Sequence, residues 1–294
     1  MKRLHLISAL CPLVMAVACA RMQSSPGTAA AVPQYRLSRV IEVEGRQGVA
    51  VDDDYYYVSG STALYKYDKQ GRLVAENLSP FADLPLEANH IGDIDVYDGR
   101  IYAGIEWFED GVGRNIQAAV YDAATLAFER SIEWQPASGQ VEVCGIAIDR
   151  DRGKLYMADW VDGRYIYRYD LAGGRYEDKV QLRPMPALQQ GIFILGDEVL
   201  ISSDDGDADK GEADRIYRAS IADPAAASAD VEVLRTMDDL RRAGEIEGLA
   251  VDPVTDDLVV LSNRGARIVL GMPRGFYDGY DREIHELYIY ERVE

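Results

Sequence analysis

Positive charge, cysteine, histidine and aromatic rings other than tyrosine are all scarce in this chain of 294 residues. Lys and Arg number 31 against 50 Asp and Glu, for a net charge of −19. That balance excludes non-specific nucleic-acid binding, which needs side-chain cations to replace the counterions at phosphates. There are 3 Cys, too few for a disulfide framework, and 3 His, which leaves little general-base chemistry near neutral pH. Phe (5) and Trp (3) are outnumbered by 19 Tyr, an excess that favours strands whose rings half-face water. Past the N-terminus no run approaches ~18 apolar residues, so the mature chain has no spanning segment. G-x-S-x-G elbows, P-loops and H-E-x-x-H pairs are missing too. An apolar content of 48% with 28% charged residues still describes a globular chain with a full core.

The first residues carry an address. Lys2 and Arg3 precede an apolar, acid-free stretch, LHLISALCPLVMAVA (4–18), which reads as a secretory signal over residues 1–18. Ala16-Val17-Ala18 satisfies the rule for ordinary cleavage, and the same residues before Cys19 resemble a bacterial lipobox. The segment 19–35 is small, polar and contains Pro and Gly, as a tether does. The expectation is an exported, lipid-anchored protein of the cell envelope, at the periplasm or outer membrane, with Cys19 lipidated and its folded domain over 36–294. Cys11 leaves with the signal, so Cys144 stands alone as a small buried hydrophobe and no intrachain disulfide is available.

Five segments then share a Gly followed by an alternating apolar run: QGVAVD (47–52), IGDIDV (91–96), CGIAID (144–149), QGIFIL (190–195) and EGLAVD (247–252). Each is followed by a second short strand (55–59, 100–104, 154–158, 198–202, 257–261) and an aromatic-rich third (63–68, 117–122, 165–170, 215–220, 286–291). Fourth strands follow in the first four units (72–76, 128–134, 177–182, 231–236). Self-similarity at this period with four strands per unit predicts an all-β fold, a five-bladed β-propeller of antiparallel blades; six blades are the alternative. The fifth unit stops at its third strand, which would leave an open edge. LSRVIEV (37–43) reads like the other fourth strands and is expected to close that blade.

The loops predict one built-up face. Those between second and third strands include IEWFEDGVGRNI (105–116), DWVDGR (159–164), SDDGDADKGEAD (203–214) and the long 262–285, whereas the opposite face has short turns. Binding is expected there, with Trp107, Phe108, Trp160, Arg264 and Tyr277 on the binding face. At the centre stand Gln47, His90, Glu142, Cys144, Gln190 and Glu247. Convergent carboxylates and amides are hard oxygen donors suited to Ca²⁺. The expected cofactor is therefore a divalent metal, Ca²⁺-like, with Glu247, Asn263, Asp159, Asp204 and Asp205 as ligands. Asp205, Asp207 and Asp209 have the spacing of an EF-hand start, but Lys210 and Ile216 stand where that loop needs Gly and Glu. Asp159, Glu106 and His285 are the candidates for proton transfer.

EGLAVD followed by DLVVLSNR resembles the NHL-repeat and gluconolactonase-like propellers, and also the phytase-like esterases. The likeness runs over 47–291 as a repeat and is motif-specific near 245–264. It implies a divalent metal in a central channel, held by Glu247 and Asn263 with Asp159 as a third ligand. Those enzymes have six blades, and five would leave a channel with room for one ion but little substrate. Two functions follow as expectations. The first is binding of a protein, glycan or small molecule on the built-up face by a monomer that touches the membrane only through its lipid. The alternative is metal-dependent hydrolysis of an ester, lactone or phosphoester.

Overall fold

The structure, a computed structural model, describes residues 33–293 apart from 110, 161, 241, 242, 270 and 271. The signal, Cys19 and the expected tether up to residue 32 lie outside the described residues, whereas Gln34 and Tyr35, also read as tether, belong to the first strand. The folded unit begins at Pro33, three residues earlier than the sequence suggests, because the first strand, β1 (Gln34–Val43), already pairs from Gln34.

The chain then runs through four antiparallel meanders of four strands. The first is β2 (Gly48–Val51), β3 (Tyr55–Gly60), β4 (Ala63–Asp68) and β5 (Leu73–Asn77). The second is β6 (His90–Tyr97), β7 (Arg100–Glu109), β8 (Val112–Asp122) and β9 (Phe128–Glu133). The third is β10 (Gly145–Asp149), β11 (Lys154–Ala158), β12 (Tyr165–Asp170) and β13 (Tyr176–Arg183). The fourth is β14 (Gln189–Leu195), β15 (Glu198–Ser203), β16 (Arg215–Ser220) and β17 (Ser228–Thr236). A last sheet contains β18 (Ile246–Val251) and β19 (Leu258–Arg264). After a small hairpin of β20 (Ala266–Val269) and β21 (Met272–Phe276) it is completed by β22 (Ile284–Val293) and β1. No α-helix occurs among the described residues; the one helical turn is 3₁₀, Pro136–Ser138.

The edge left by the last unit is closed by the N-terminal strand. β1 pairs antiparallel with β22 from Gln34 opposite Val293 to Val43 opposite His285, so the two ends of the domain are hydrogen-bonded to each other. One feature is absent from the repeat pattern. Gln181–Arg183 of β13 pair in parallel with Ser228–Asp230 of β17, which fuses the third and fourth meanders into one eight-stranded sheet.

Two segments expected as loops are extended. Most of 105–116 belongs to β7 and β8, whose pairing continues to Glu109 opposite Val112. Part of 262–285 forms β20 and β21. In both, cross-strand pairing lets the backbone satisfy its own polar groups, so these segments are hairpins as well as loops.

Four apolar clusters lie between consecutive sheets. Ala50, Tyr57, Ile94 and Ile101 pack between the first two, and Val120, Ile146, Leu155 and Met157 between the next. Ala147, Ile166, Ile192 and Ile201 fill the third space, while Val49, Leu200, Leu249 and Leu287 share the largest cluster. Tyrosine departs from expectation. Tyr57, Tyr121, Tyr156, Tyr167, Tyr169, Tyr288 and Tyr290 are fully buried rather than half-wetted. Burial is tolerable where the hydroxyls find partners, as Tyr57 donates to Asp52, Tyr121 to the Pro80 carbonyl and Tyr290 to Asp239.

The first strands of the units meet side by side. A methyl group at Gly48 would strike Asp93 and the Ile94 nitrogen, and one at Gly145 would press on Ile192. One at Gly191 would meet Gly248, and one at Gly248 would meet Gly48. Backbone bonds join them as well, Asp93 N–H to the Cys144 carbonyl at 2.8 Å and Gly248 N–H to the Gln47 carbonyl at 2.9 Å. The second unit carries a correction. Ile94 pairs with Ala103 as Val49 pairs with Val58 and Ile146 with Met157. A bulge at Gly92 shifts the register by one. The residue equivalent to Gly48, Gly145, Gly191 and Gly248 is therefore Asp93, not Gly92.

Candidate functional site

Asp93 is wholly buried where these strands converge. Ile192 N–H donates to its Oδ2 at 3.1 Å and Ile94 N–H to its Oδ1 at 2.9 Å, with Val49 N–H as a further donor. Methyl groups at Gly48 and Gly191 would lie 2.7 and 2.9 Å from its oxygens, and one at Gly248 would collide with Oδ1. The glycines thus make room for one carboxyl group, which caps strand-edge N–H groups that would otherwise be orphaned. Burial pushes its pKa well above the usual range, against these donors.

One residue earlier on the same strands, a cavity of about 210 Å³ opens. Gln47, Cys144, Gln190 and Glu247, which precede four of the glycines, form part of its lining. His90, Phe108 and Trp160 stand in its walls with Glu142, Glu245 and Arg46. The ring centroids of Phe108 and Trp160 are 6.2 Å apart, edge to face at 67°, and His90 stacks on Phe108 at 5.5 Å. Cys144 is buried and free, its thiol pushed up by burial and then by Glu142. That is the setting of an inert thiol.

On one side of the cavity three buried carboxyl groups meet. Glu106 extends from β7, Glu142 precedes β10 and Asp159 follows β11; they are 0%, 2% and 2% exposed. Glu106 Oε2 accepts from Val143 N–H at 3.1 Å, and Glu142 Oε2 from Trp160 N–H at 2.6 Å. Asp159 accepts from Val141 and Glu142 N–H, both at 3.2 Å, and from the Tyr167 hydroxyl at 2.7 Å. Burial pushes Asp159 up to about 6. It raises Glu142 well above its usual value, with the neighbouring Glu106 adding to the effect. Glu106 Oε1 has no hydrogen-bond partner and lies 3.5 Å from His90 Nδ1, which also has none. Among the described residues no Lys or Arg lies in salt-bridge range of these three acids.

The opposite side is built on Arg46. Its guanidinium lies 3.3 Å from Glu245, 3.9 Å from Glu247 and 3.1 Å from Glu283. Asn263 donates to Glu247 Oε1 and to the Arg46 carbonyl. Glu283 in turn faces His285 Nε2 at 3.6 Å. Burial raises Glu247, and it lifts Glu245 to about 7 even though Arg46 opposes it.

Glu245 also lines a second cavity of about 180 Å³ with Asp204, Asp214 and Tyr277. Burial raises Asp204, with Glu245 the next cause, and lifts Asp214 to about 6. Asp205 faces elsewhere. Its Oδ2 accepts from Arg215 at 2.8 Å and from the Tyr217 hydroxyl.

The proposed metal ligands are therefore split. Glu247 and Asn263 touch, but Asp159 belongs to the Glu106–Glu142 cluster and Asp205 to an ion pair. Among the described residues no group of three or more His, Cys, Asp or Glu side chains has a metal-holding arrangement. The donor set does not fit a calcium seat, because a guanidinium already supplies the positive charge beside Glu247.

Of the expected binding-face residues, Phe108 and Trp160 line the central cavity and Tyr277 the second one. Arg264 instead holds Glu286 through two bonds of 2.9 Å. Trp107 is half-buried, opposite Arg114 in the β7–β8 hairpin. His285 Nε2 lies 3.6 Å from Glu283, beside the Arg46 network. Arg46, Glu245 and Asp93 escaped the sequence reading. Only Asp93 had a visible signal, an acid interrupting the apolar alternation of IGDIDV. No protein-family model matches the chain, and no curated protein matches it either.

Proposed function

We propose that this chain is a five-bladed β-propeller, exported and lipid-anchored through Cys19, that binds a small ligand in the cavity at the centre of its built-up face. The blade count is supported by five four-stranded antiparallel runs, two of them fused along β13 and β17. It is also supported by the contact of the five first strands and by the pairing of β1 with β22. The observation that carries the binding function is the lining of the cavity. Residues from all five runs contribute to it, and they combine carboxylates and amides with the rings of Phe108 and Trp160. Such a surface can orient a polar molecule and cover its apolar parts. A cavity of about 380 Å³ lies at the far ends of the same strands, and the buried Asp93 stands between the two ends along β6.

The test is a thermal-shift screen of small amines, sugars, amino acids and carboxylates on wild type and Trp160→Ala. At least one class should raise the melting temperature of wild type and lose that effect in the variant. Hits that are indifferent to Trp160→Ala, or no hits at all, would overturn the assignment of the cavity.

A second reading, hydrolysis, has one observation in its favour. His90 stands on the cavity wall with the carboxylate of Glu106 3.5 Å behind its Nδ1, an arrangement that orients an imidazole for proton transfer. Turnover of an ester, lactone or phosphoester that disappears in His90→Ala would establish it.

A further inference from the structure

We propose that the ligand of the central cavity is a small organic cation, whose ammonium group sits against Glu142 at the corner formed by Phe108 and Trp160. This inference rests on the cavity being the binding site and adds the chemical class.

Three observations carry it. First, the carboxyl groups on the Glu142 side have no basic partner. Glu106, Glu142 and Asp159 are buried together with no Lys or Arg in reach among the described residues, and Glu142, which shares a hydrogen bond with Glu106, lines the cavity with His90. An incoming positive charge favours the ionised form of such buried carboxyl groups, so this side is suited to a cation. Second, the walls are aromatic. Phe108 and Trp160 meet edge to face at 6.2 Å, and the Trp160 backbone N–H donates to Glu142, which lines the same cavity. A ring face and a carboxylate at one point form the recognition set for an ammonium group. An inorganic cation gains little from the rings, and the carboxylates lack a metal-holding arrangement. Third, Arg46, the cationic lining residue, is already engaged by Glu245, Glu247 and Glu283. A ligand carboxylate would find no free counter-charge there, so a cation is favoured over a zwitterion.

The experiment compares choline, its uncharged isostere 3,3-dimethyl-1-butanol and the zwitterion glycine betaine. Binding is followed by tryptophan fluorescence and calorimetry on the folded domain at pH 7.5 and low salt. Choline should bind at least ten-fold more tightly than either of the others. Glu142→Gln, which keeps the shape and the acceptor for Trp160 N–H, should weaken choline at least ten-fold, and Phe108→Leu several-fold. Equal affinity for choline and its neutral isostere, or unchanged choline affinity in Glu142→Gln, would overturn the proposal. Binding of a neutral sugar that depends on Trp160, with no response to choline, would refute the cationic ligand while leaving the cavity as the site. Absence of any Trp160-dependent ligand in the wider screen would refute both. Circular dichroism and melting of each variant identify misfolding, and Phe108→Leu, on a half-buried wall residue, keeps the test decisive if Glu142→Gln fails to fold.

Discussion

Replacing Asp93 by Ala should damage the fold more than its small size suggests. The carboxyl group accepts N–H groups from two other strands, Val49 and Ile192, besides that of Ile94. Ala leaves at least the two cross-strand donors buried and unpaired. At about 1–3 kcal/mol per orphaned group the cost is about 2–6 kcal/mol, a large share of the 5–15 kcal/mol typical of a domain. For a domain of this size that lowers the melting temperature by about 4–24 °C. Asp93→Asn keeps one acceptor oxygen and the shape, so it should lose less, about 1–3 kcal/mol. The pH dependence has a definite sign. Asp93 has a folded pKa raised above its unfolded value, so its contribution is fully present below about pH 4 and fades as pH rises through the folded pKa. The deficit of Asp93→Asn should therefore be larger at pH 5 than at pH 8. Urea unfolding of the three proteins at both pH values is the assay. An Asp93→Ala protein within about 1 kcal/mol of wild type would mean that these N–H groups do not depend on the carboxyl group.

Three further outcomes are expected. Arg46→Ala strands Glu245, Glu247 and Glu283 without their cation and should cost about 3–5 kcal/mol at pH 8, less at pH 5, in denaturant titrations. Asp159 and Asp214 titrate at about 6 and Glu245 at about 7, above their unfolded values; their stabilisation is full below about pH 4 and is lost as pH rises through 6–7, so wild type should gain melting temperature from pH 8 to pH 5, and Asp159→Asn should lose part of that gain, about 1.4 kcal/mol for each unit of raised pKa. Deleting residues 34–43 removes the partner of β22 and exposes its edge, so the truncated domain should oligomerise or unfold by size-exclusion chromatography, while deletion of 20–32 should leave the melting temperature unchanged.

The sequence alone determined most of the strands and their order, but not the extensions of β7 and β8 or the β20–β21 hairpin. Alternating apolar residues between Gly and Asp turns place the short strands wherever the period of two recurs, because that period requires only local backbone geometry. It also determined that β1 completes the last sheet, since a three-stranded remainder and one surplus strand leave a single economical pairing. The carboxylates of the built-up face, Glu106, Asp159 and Glu247, were legible as acids at strand ends. Which of them meet was not. Asp159 joins Glu106 and Glu142, while Glu247 joins Arg46 and Asn263, because those pairings depend on how separate sheets are rotated about one another. The bulge at Gly92, which moves Asp93 to the position held elsewhere by glycine, was equally hidden, since one inserted residue changes a register without changing composition. Tertiary structure decided these points for a common reason: desolvation and Coulomb energy act between groups far apart in the chain. An acid read as a turn former or metal ligand in sequence becomes, once buried, a group whose neighbours fix its charge.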